Sequence, residues 1–216
     1  MASPTAERPS VPQTTVRRLS TYLRTLGLEA ASGTQSISSA RLSEVTGFTA
    51  AQIRRDLANF GHFGRRGVGY SVEGLRLELR AILGVDIEWS VALIGVGNLG
   101  KALLAYKGFN QMGFTIAAAF DNDQRKVGST LSGLTVEPIS KLAERVRELG
   151  IQLAIMTTPA EAAQEVLDSL VASGIRAVLN FAPRRLRAPE GVQISNVDLT
   201  IEVEYLSHSL SQRRLS

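Results

Sequence analysis

Val91-Ala92-Leu93-Ile94-Gly95-Val96-Gly97-Asn98-Leu99-Gly100 carries four consecutive apolar residues straight into a GxGxxG turn. A short unbroken apolar run suits a strand buried on both faces of a parallel sheet, here Val91 to Val96, and a helix is predicted over Leu99 to Met112. Strand, glycine turn and helix in that order form the start of a dinucleotide-binding βαβ unit. Gly95 allows the tight turn, Gly97 lets backbone approach a pyrophosphate, and Gly100 lets helix and strand pack closely. Around Asn98 and Leu99 the helix start offers unpaired N–H groups and the positive end of the helix dipole to phosphates. Such a unit calls for an acid about 20 residues further on, at the end of the second strand. Asp121 is there, closing the apolar run Phe114 to Phe120.

Downstream, further strands are predicted at Leu153 to Met156 and Ala177 to Phe181, and helices at Ser140 to Leu149 and Ala160 to Ala172. Strands alternating with crossover-length helices predict an α/β domain, a doubly wound parallel sheet of the Rossmann type. Ligands of such sheets lie beyond the carboxyl ends of the strands. Thr157-Thr158-Pro159 and Asn180-Phe181-Ala182 follow two of those ends and are candidate walls for the nicotinamide. Asp121 favours NAD, because a carboxylate bonds ribose hydroxyls and repels the extra phosphate of NADP. The basic neighbours Arg125 and Lys126 keep NADP open.

Upstream the texture differs. Residues 1–14, with Pro4, Pro9 and Pro12, read as a mobile tail. Val16, Leu19, Leu23 and Leu26 recur at helical spacing, and a short helix from Ser39 to Thr46 stops at Gly47. Thr49 and Gln52 form a capping-box pattern for the next helix, whose inner face is Ile53, Leu57 and Phe60. Two helices joined by a short glycine-containing turn predict a helix-turn-helix with the second helix as reader. Gly61 to Tyr70 reads as a hairpin wing with Arg65 and Arg66 at its tip, and Leu75, Leu79, Ile82 and Leu83 mark a fourth helix ended by Gly84. Gln52, Arg54 and Arg55 suit base edges and phosphates in the major groove, and the wing arginines suit the minor groove.

Charge follows the same division. Residues 1–84 hold 11 Lys+Arg against 6 Asp+Glu, and the remainder 13 against 14. The absence of cysteine excludes disulfides and thiolate metal sites, and no metal is expected. No apolar run approaches the roughly 20 residues of a membrane helix, so the expected location is cytoplasmic. A dehydrogenase needs a substrate site and usually an acid or base. The histidines, His62 in the wing and His208 near the terminus, stand outside the predicted crevice. No catalytic residue is therefore assigned, although a small NAD-dependent oxidoreductase and a nucleotide-binding corepressor that docks on protein both stay open.

Ala51-Gln52-Ile53-Arg54-Arg55-Asp56-Leu57 and Phe60 to Tyr70 strongly resemble the Rex family of redox-sensing repressors. So do Gly95 to Gly100, Asp121, Lys126-Val127-Gly128, Asn180 to Pro183 and Asn196 to Leu199. The resemblance runs from Val16 to Leu210. It implies a winged-helix DNA-binding domain over 15–84 that includes Thr49, a Rossmann NAD(H) domain over 85–198 that includes Lys126, and a dimerisation helix and tail over 199–216. It further implies a homodimer on palindromic double-stranded operator DNA, released by NADH, with the last helix exchanged between subunits. Arg24, Tyr106 and Asp198 match positions such proteins use near the switch.

Overall fold

Ser38, Thr49 and Ser71 each stand one residue ahead of a helix, and each side-chain hydroxyl accepts a backbone N–H from its first turn: Arg41, Gln52 and Gly74. These caps satisfy donors that a helix start leaves unpaired. They set the beginnings of α2 (Ser39–Thr46), α3 (Ala50–Ala58) and α4 (Val72–Leu83). Ahead of them lie α1 (Gln13–Ala31) and the two-residue β1 (Ser36–Ile37). The computed structural model describes residues 11–61, 63–65 and 68–214, and the chain divides into two compact units between Ile87 and Glu88.

In the first unit Leu19, Tyr22, Leu26, Leu42, Ile53, Leu57, Leu75 and Leu79 form a core of almost fully buried side chains. Val16, expected on the inner face of α1, is 37% exposed, while Thr15 is buried. The rest of the expected face, Leu19, Leu23 and Leu26, is buried as predicted, and at its start the Thr15 hydroxyl takes a hydrogen bond from Arg18. Strands β2 (Gly64–Arg65) and β3 (Gly69–Ser71) pair antiparallel, and β1 joins the other edge of β3. This is the expected wing. His62, Arg66 and Gly67 lie outside the described residues, as does the side chain of Arg65.

The second unit contains β4 (Trp89–Ile94), α5 (Asn98–Leu104), α6 (Gly108–Gln111), β5 (Phe114–Asp121), β6 (Thr130–Leu131) and β7 (Leu134–Pro138). A 3-10 turn (Ile139–Lys141) then leads into α7 (Leu142–Glu148), β8 (Leu153–Met156), α8 (Ala163–Ala172), β9 (Ala177–Asn180), β10 (Gln193–Asn196) and α9 (Leu199–Arg214). The sheet order is β10-β9-β8-β4-β5-β7-β6, parallel except for the β6–β7 hairpin. Counting β4 as the first parallel strand, this is the 3-2-1-4-5-6 order of a doubly wound dinucleotide fold. Side chains alternate across the sheet. Ala92 and Ile94 pack with α7 and α8, whereas Val91 and Leu93 pack with Leu103, Leu104 and Phe109.

Several expected elements differ: the strand expected over Ala177 to Phe181 stops at Asn180, the helix expected over Ser140 to Leu149 is Leu142–Glu148, and Phe60 lies beyond the end of α3. The helix expected over Leu99 to Met112 breaks into α5 and α6 at Ala105 to Lys107. Tyr106 turns outward there and its ring meets Phe109 edge-on at 5.2 Å. A Cβ on Gly108 would lie 2.4 Å from that ring, the outer end of an exposed side chain that would have to swing aside. The strand expected to reach Val96 stops at Ile94, because Gly95 has φ +90 and leaves the extended conformation. Finally, α8 starts at Ala163 rather than Ala160.

Candidate functional site

The chain leaves β4 toward β5 on one side and returns through β8 on the other, so the carboxyl ends of β4 and β8 open a crevice between them. The glycine turn sits in this crevice. Gly95 N–H donates to Phe120 O at 2.8 Å, and Gly95 O accepts from the Thr157 hydroxyl at 2.7 Å. A Cβ on Gly100 would fall 2.1 Å from Gly95 O, and one on Gly95 would fall 3.0 Å from Thr157 O. Both glycines are therefore required by the protein itself. Gly97 is different: a Cβ there would meet nothing within 4 Å. Its backbone borders free space at the start of α5, where an anionic group would meet the exposed N–H groups of Asn98 and Leu99.

A cavity of about 580 Å³ occupies the crevice, lined among others by Gly95, Gly97, Asp121, Lys126, Thr157, Thr158 and Pro159. Asn122 and Ile139 line it as well. Sequence reading missed both. Ile139 follows β7, so the rule that ligands sit at strand ends would have found it had that short strand been recognised. Asn180, Phe181 and Ala182 are not in the lining. The Asn180 side chain is fully buried, accepting from Ala182 N–H and donating to Asn196 Oδ1, Ala182 O and Arg184 O, so it holds a loop.

Asp121 is heavily committed. Oδ2 accepts from Val96 N–H at 2.7 Å and Lys126 Nζ at 2.9 Å, and Oδ1 accepts from Asp123 N–H at 2.8 Å. Burial alone would raise its pKa, but these donors outweigh it and hold the carboxyl below its ordinary value. An ionised carboxylate has about four lone-pair sites, so one direction on Oδ1 remains for a hydroxyl. Arg125 turns away to Asp123 and is largely exposed. Thr158 lines the same crevice, and its Oγ1 is buried without a hydrogen-bond partner among the described residues. Open space at Gly97, a carboxylate with one free position and an unpartnered hydroxyl suit a dinucleotide.

In the first unit α3 presents Arg54 and Arg55 outward, and Arg54 donates to Ser39 Oγ at 2.8 Å. Thr49 caps the helix as expected, but the reciprocal arm of the capping box is not made. Gln52 instead donates its Nε2 to Asp56 Oδ1 at 2.8 Å. Asp56, 1% exposed, also receives Nε and a second nitrogen of Arg18 at 2.6 and 2.7 Å and the Tyr22 hydroxyl at 2.9 Å. Sequence reading missed this cluster, because an Asp-Arg pair 38 residues apart has no local signature.

The three expected switch residues stand apart from these clusters. Arg24 is exposed on α1, and Tyr106 is 60% exposed at the break before α6. Asp198 accepts the N–H and the hydroxyl of Thr200, which closes the start of α9 and lowers its carboxyl pKa. Among the described residues no group of three or more acidic or histidine side chains is placed to hold a metal, and no helix is long and apolar enough to cross a membrane.

A family model described as a CoA binding domain matches residues 86–184, and one described as a putative DNA-binding protein N-terminus matches residues 10–58. The redox-sensing transcriptional repressor Rex of Syntrophomonas wolfei is 46% identical over 93% of this chain and 96% of its own length. The chain belongs to the Rex family. Among solved structures, RSP in complex with β-NAD+ and operator DNA has a TM-score of 0.91 and 37% identity, covering 96% of this chain and 95% of its own. RSP in complex with β-NADH gives 0.87 and 35%, covering 96% and 97%. Rex proteins are transcriptional repressors, so the oxidoreductase and corepressor readings that the sequence left open fall away.

Proposed function

We propose that this Rex-family chain binds palindromic operator DNA as a homodimer and is released by NADH. The observation that carries the reading is a complete dinucleotide cradle, Gly95 to Gly100 with Asp121, at the switch point of a sheet that shares its chain with a helix-turn-helix. A nicotinamide dinucleotide supplies a ring that is cationic when oxidised and neutral when reduced. Gly97 with the start of α5 would take the pyrophosphate, Asp121 the adenosine ribose, and Thr157, Thr158 and Pro159 would border the nicotinamide, with Lys126 holding Asp121 in place. Thr49, Arg54, Arg55 and the wing arginines Arg65 and Arg66 would hold DNA. Arg24, Tyr106 and Asp198 would couple the two activities. A ligand shifts a conformational equilibrium only by its differential affinity for the two states, so oxidised and reduced forms must be held differently. On this reading the protein works in the cytoplasm, where its operator DNA would be.

Titrating each nucleotide into a DNA mobility assay tests this. Micromolar NADH is expected to abolish the shift of a palindromic fragment while NAD+ leaves it; equal responses to the two refute the switch.

Dimerisation rests on α9. Leu199, Val203, Leu206 and Leu210 form one apolar stripe, and Ile201 and Tyr205 lie on nearly the opposite face. All six are 58% to 68% exposed. Apolar side chains exposed on two faces of one helix call for cover, which an exchanged partner subunit would supply. Truncation after Asp198 is expected to leave a monomer by light scattering that still binds dinucleotide; a truncated chain that stays dimeric would place the interface elsewhere.

A further inference from the structure

The parallel strands β9 and β10 are joined over 181–192 without a helix, by a loop that carries Arg184, Arg185 and Arg187, all exposed. The backbone of this loop is fixed at several points. The Gln164 side chain, on α8, donates to Arg187 O at 3.0 Å and accepts from Arg187 N–H at 2.9 Å. Asn180 donates to Arg184 O at 3.3 Å, the Arg184 guanidinium donates to Ala160 O at 3.2 Å, and Leu186 packs on the core of the second unit. A ligand meeting these arginines therefore has little backbone to order.

A cavity of about 930 Å³ lies where the loop meets α8, lined by Gln164, Asp168, Arg184, Arg185, Leu186 and Arg187. It shares no lining residue with the crevice that holds the glycine turn. Its charge is unbalanced. Asp168 is the single acid of the lining, and it accepts from Gln164 Nε2 at 2.9 Å rather than from an arginine. Among the described residues none of the three guanidinium groups is in an ion pair, and those of Arg185 and Arg187 make no hydrogen bond. The planar fork of a guanidinium matches the paired oxygens of a phosphoryl group. The volume is that of a small-molecule site, about 300–1,000 Å³. Grooves for single-stranded nucleic acid add rings on which bases stack, and this lining has no ring. We infer that the groove is a second ligand site, taking a small soluble anion with two or more phosphoryl groups, apart from the dinucleotide crevice.

Calorimetry with pyrophosphate tests this on the full-length protein, first saturated with NADH so that the glycine turn is occupied. One pyrophosphate per chain is expected, bound at least tenfold tighter than inorganic phosphate because the second phosphoryl group reaches a second fork. Replacing Arg185→Gln and Arg187→Gln together should weaken pyrophosphate roughly thirtyfold or more, the worth of two hydrogen bonds between charged groups. Those side chains hold nothing else in place, so NADH affinity should stay within twofold, which also shows the variant to be folded. Equal pyrophosphate affinity in wild type and the double variant, or no binding to wild type, would overturn the inference. Pyrophosphate that binds only when NADH is left out belongs to the glycine turn and would overturn it too. Hexaglutamate binding in preference to pyrophosphate would assign the groove to an acidic protein segment instead. A chain that takes up no NADH would refute the dinucleotide reading, and the comparison of wild type with the double variant would still decide the groove.

Discussion

Arg18→Ala is expected to destabilise the first unit by about 3 kcal/mol, the lower end of the range for breaking a buried ion pair. The guanidinium satisfies both oxygens of Asp56, and its loss leaves a carboxylate at 1% exposure with Tyr22 and Gln52 alone. The lower end applies because the Arg18 side chain retains 20% exposure, so water can reach part of the gap. The loss has a pH signature. Burial pushes the Asp56 carboxyl up, but hydrogen bonds from Arg18, Gln52 and Tyr22 outweigh it and the folded pKa lies below the ordinary value. A depressed carboxyl contributes its full stability above its unfolded pKa of about 3.9, and that contribution disappears as pH falls through the folded value. In the variant the buried carboxylate loses its cation, and protonation relieves it. The gap between wild type and variant should therefore be widest near neutrality and close as pH enters the carboxylate range. Urea unfolding followed through the first unit at several pH values measures it; a gap below about 0.5 kcal/mol at pH 7, as for an ordinary surface substitution, would show the pair to be dispensable.

Gly100→Ala is expected to reduce dinucleotide affinity at least tenfold, about 1.4 kcal/mol, and to cost the second unit about 1–3 kcal/mol of stability as an overpacked contact. The added Cβ would stand 2.1 Å from Gly95 O and 3.0 Å from Thr157 Oγ1, atoms already bonded to each other. Neither is the end of a long flexible side chain, so relief requires α5 to withdraw from β4. That withdrawal carries the N–H groups of Asn98 and Leu99 away from the phosphate position beside Gly97. Calorimetry with NADH measures the loss, and affinity within twofold of wild type would contradict the packing argument. DNA binding without nucleotide should survive, because the caps and core of α2 and α3 are built within the first unit.

Much of this was legible locally. The helix caps at Thr49 and the closing Gly47 are contacts within a few residues, and they stand where sequence reading put them. The glycine turn and Asp121 were legible because strand, turn, helix and acid follow one another at fixed spacing. The 122–133 connection was not: where a helix commonly crosses over, the chain uses the short β6–β7 hairpin, too brief for a periodic signal. The break at Tyr106 was equally hidden, since Leu103, Leu104 and Phe109 continue an apolar helical pattern through it.

Order along the chain, then, was enough to establish two differently charged halves, the glycine turn after β4 and the capped helix α3, because each of those depends on neighbours a few residues away. What holds Asp56, which cavity wall Ile139 joins and why Asn180 faces a loop rather than the crevice were decided by folding. The contacts that fix Asp56 from Arg18 and Tyr22, and Asn180 from Asn196, join separate segments of backbone, and burial of the charge or amide forces a partner that only the assembled core brings within 3 Å or so.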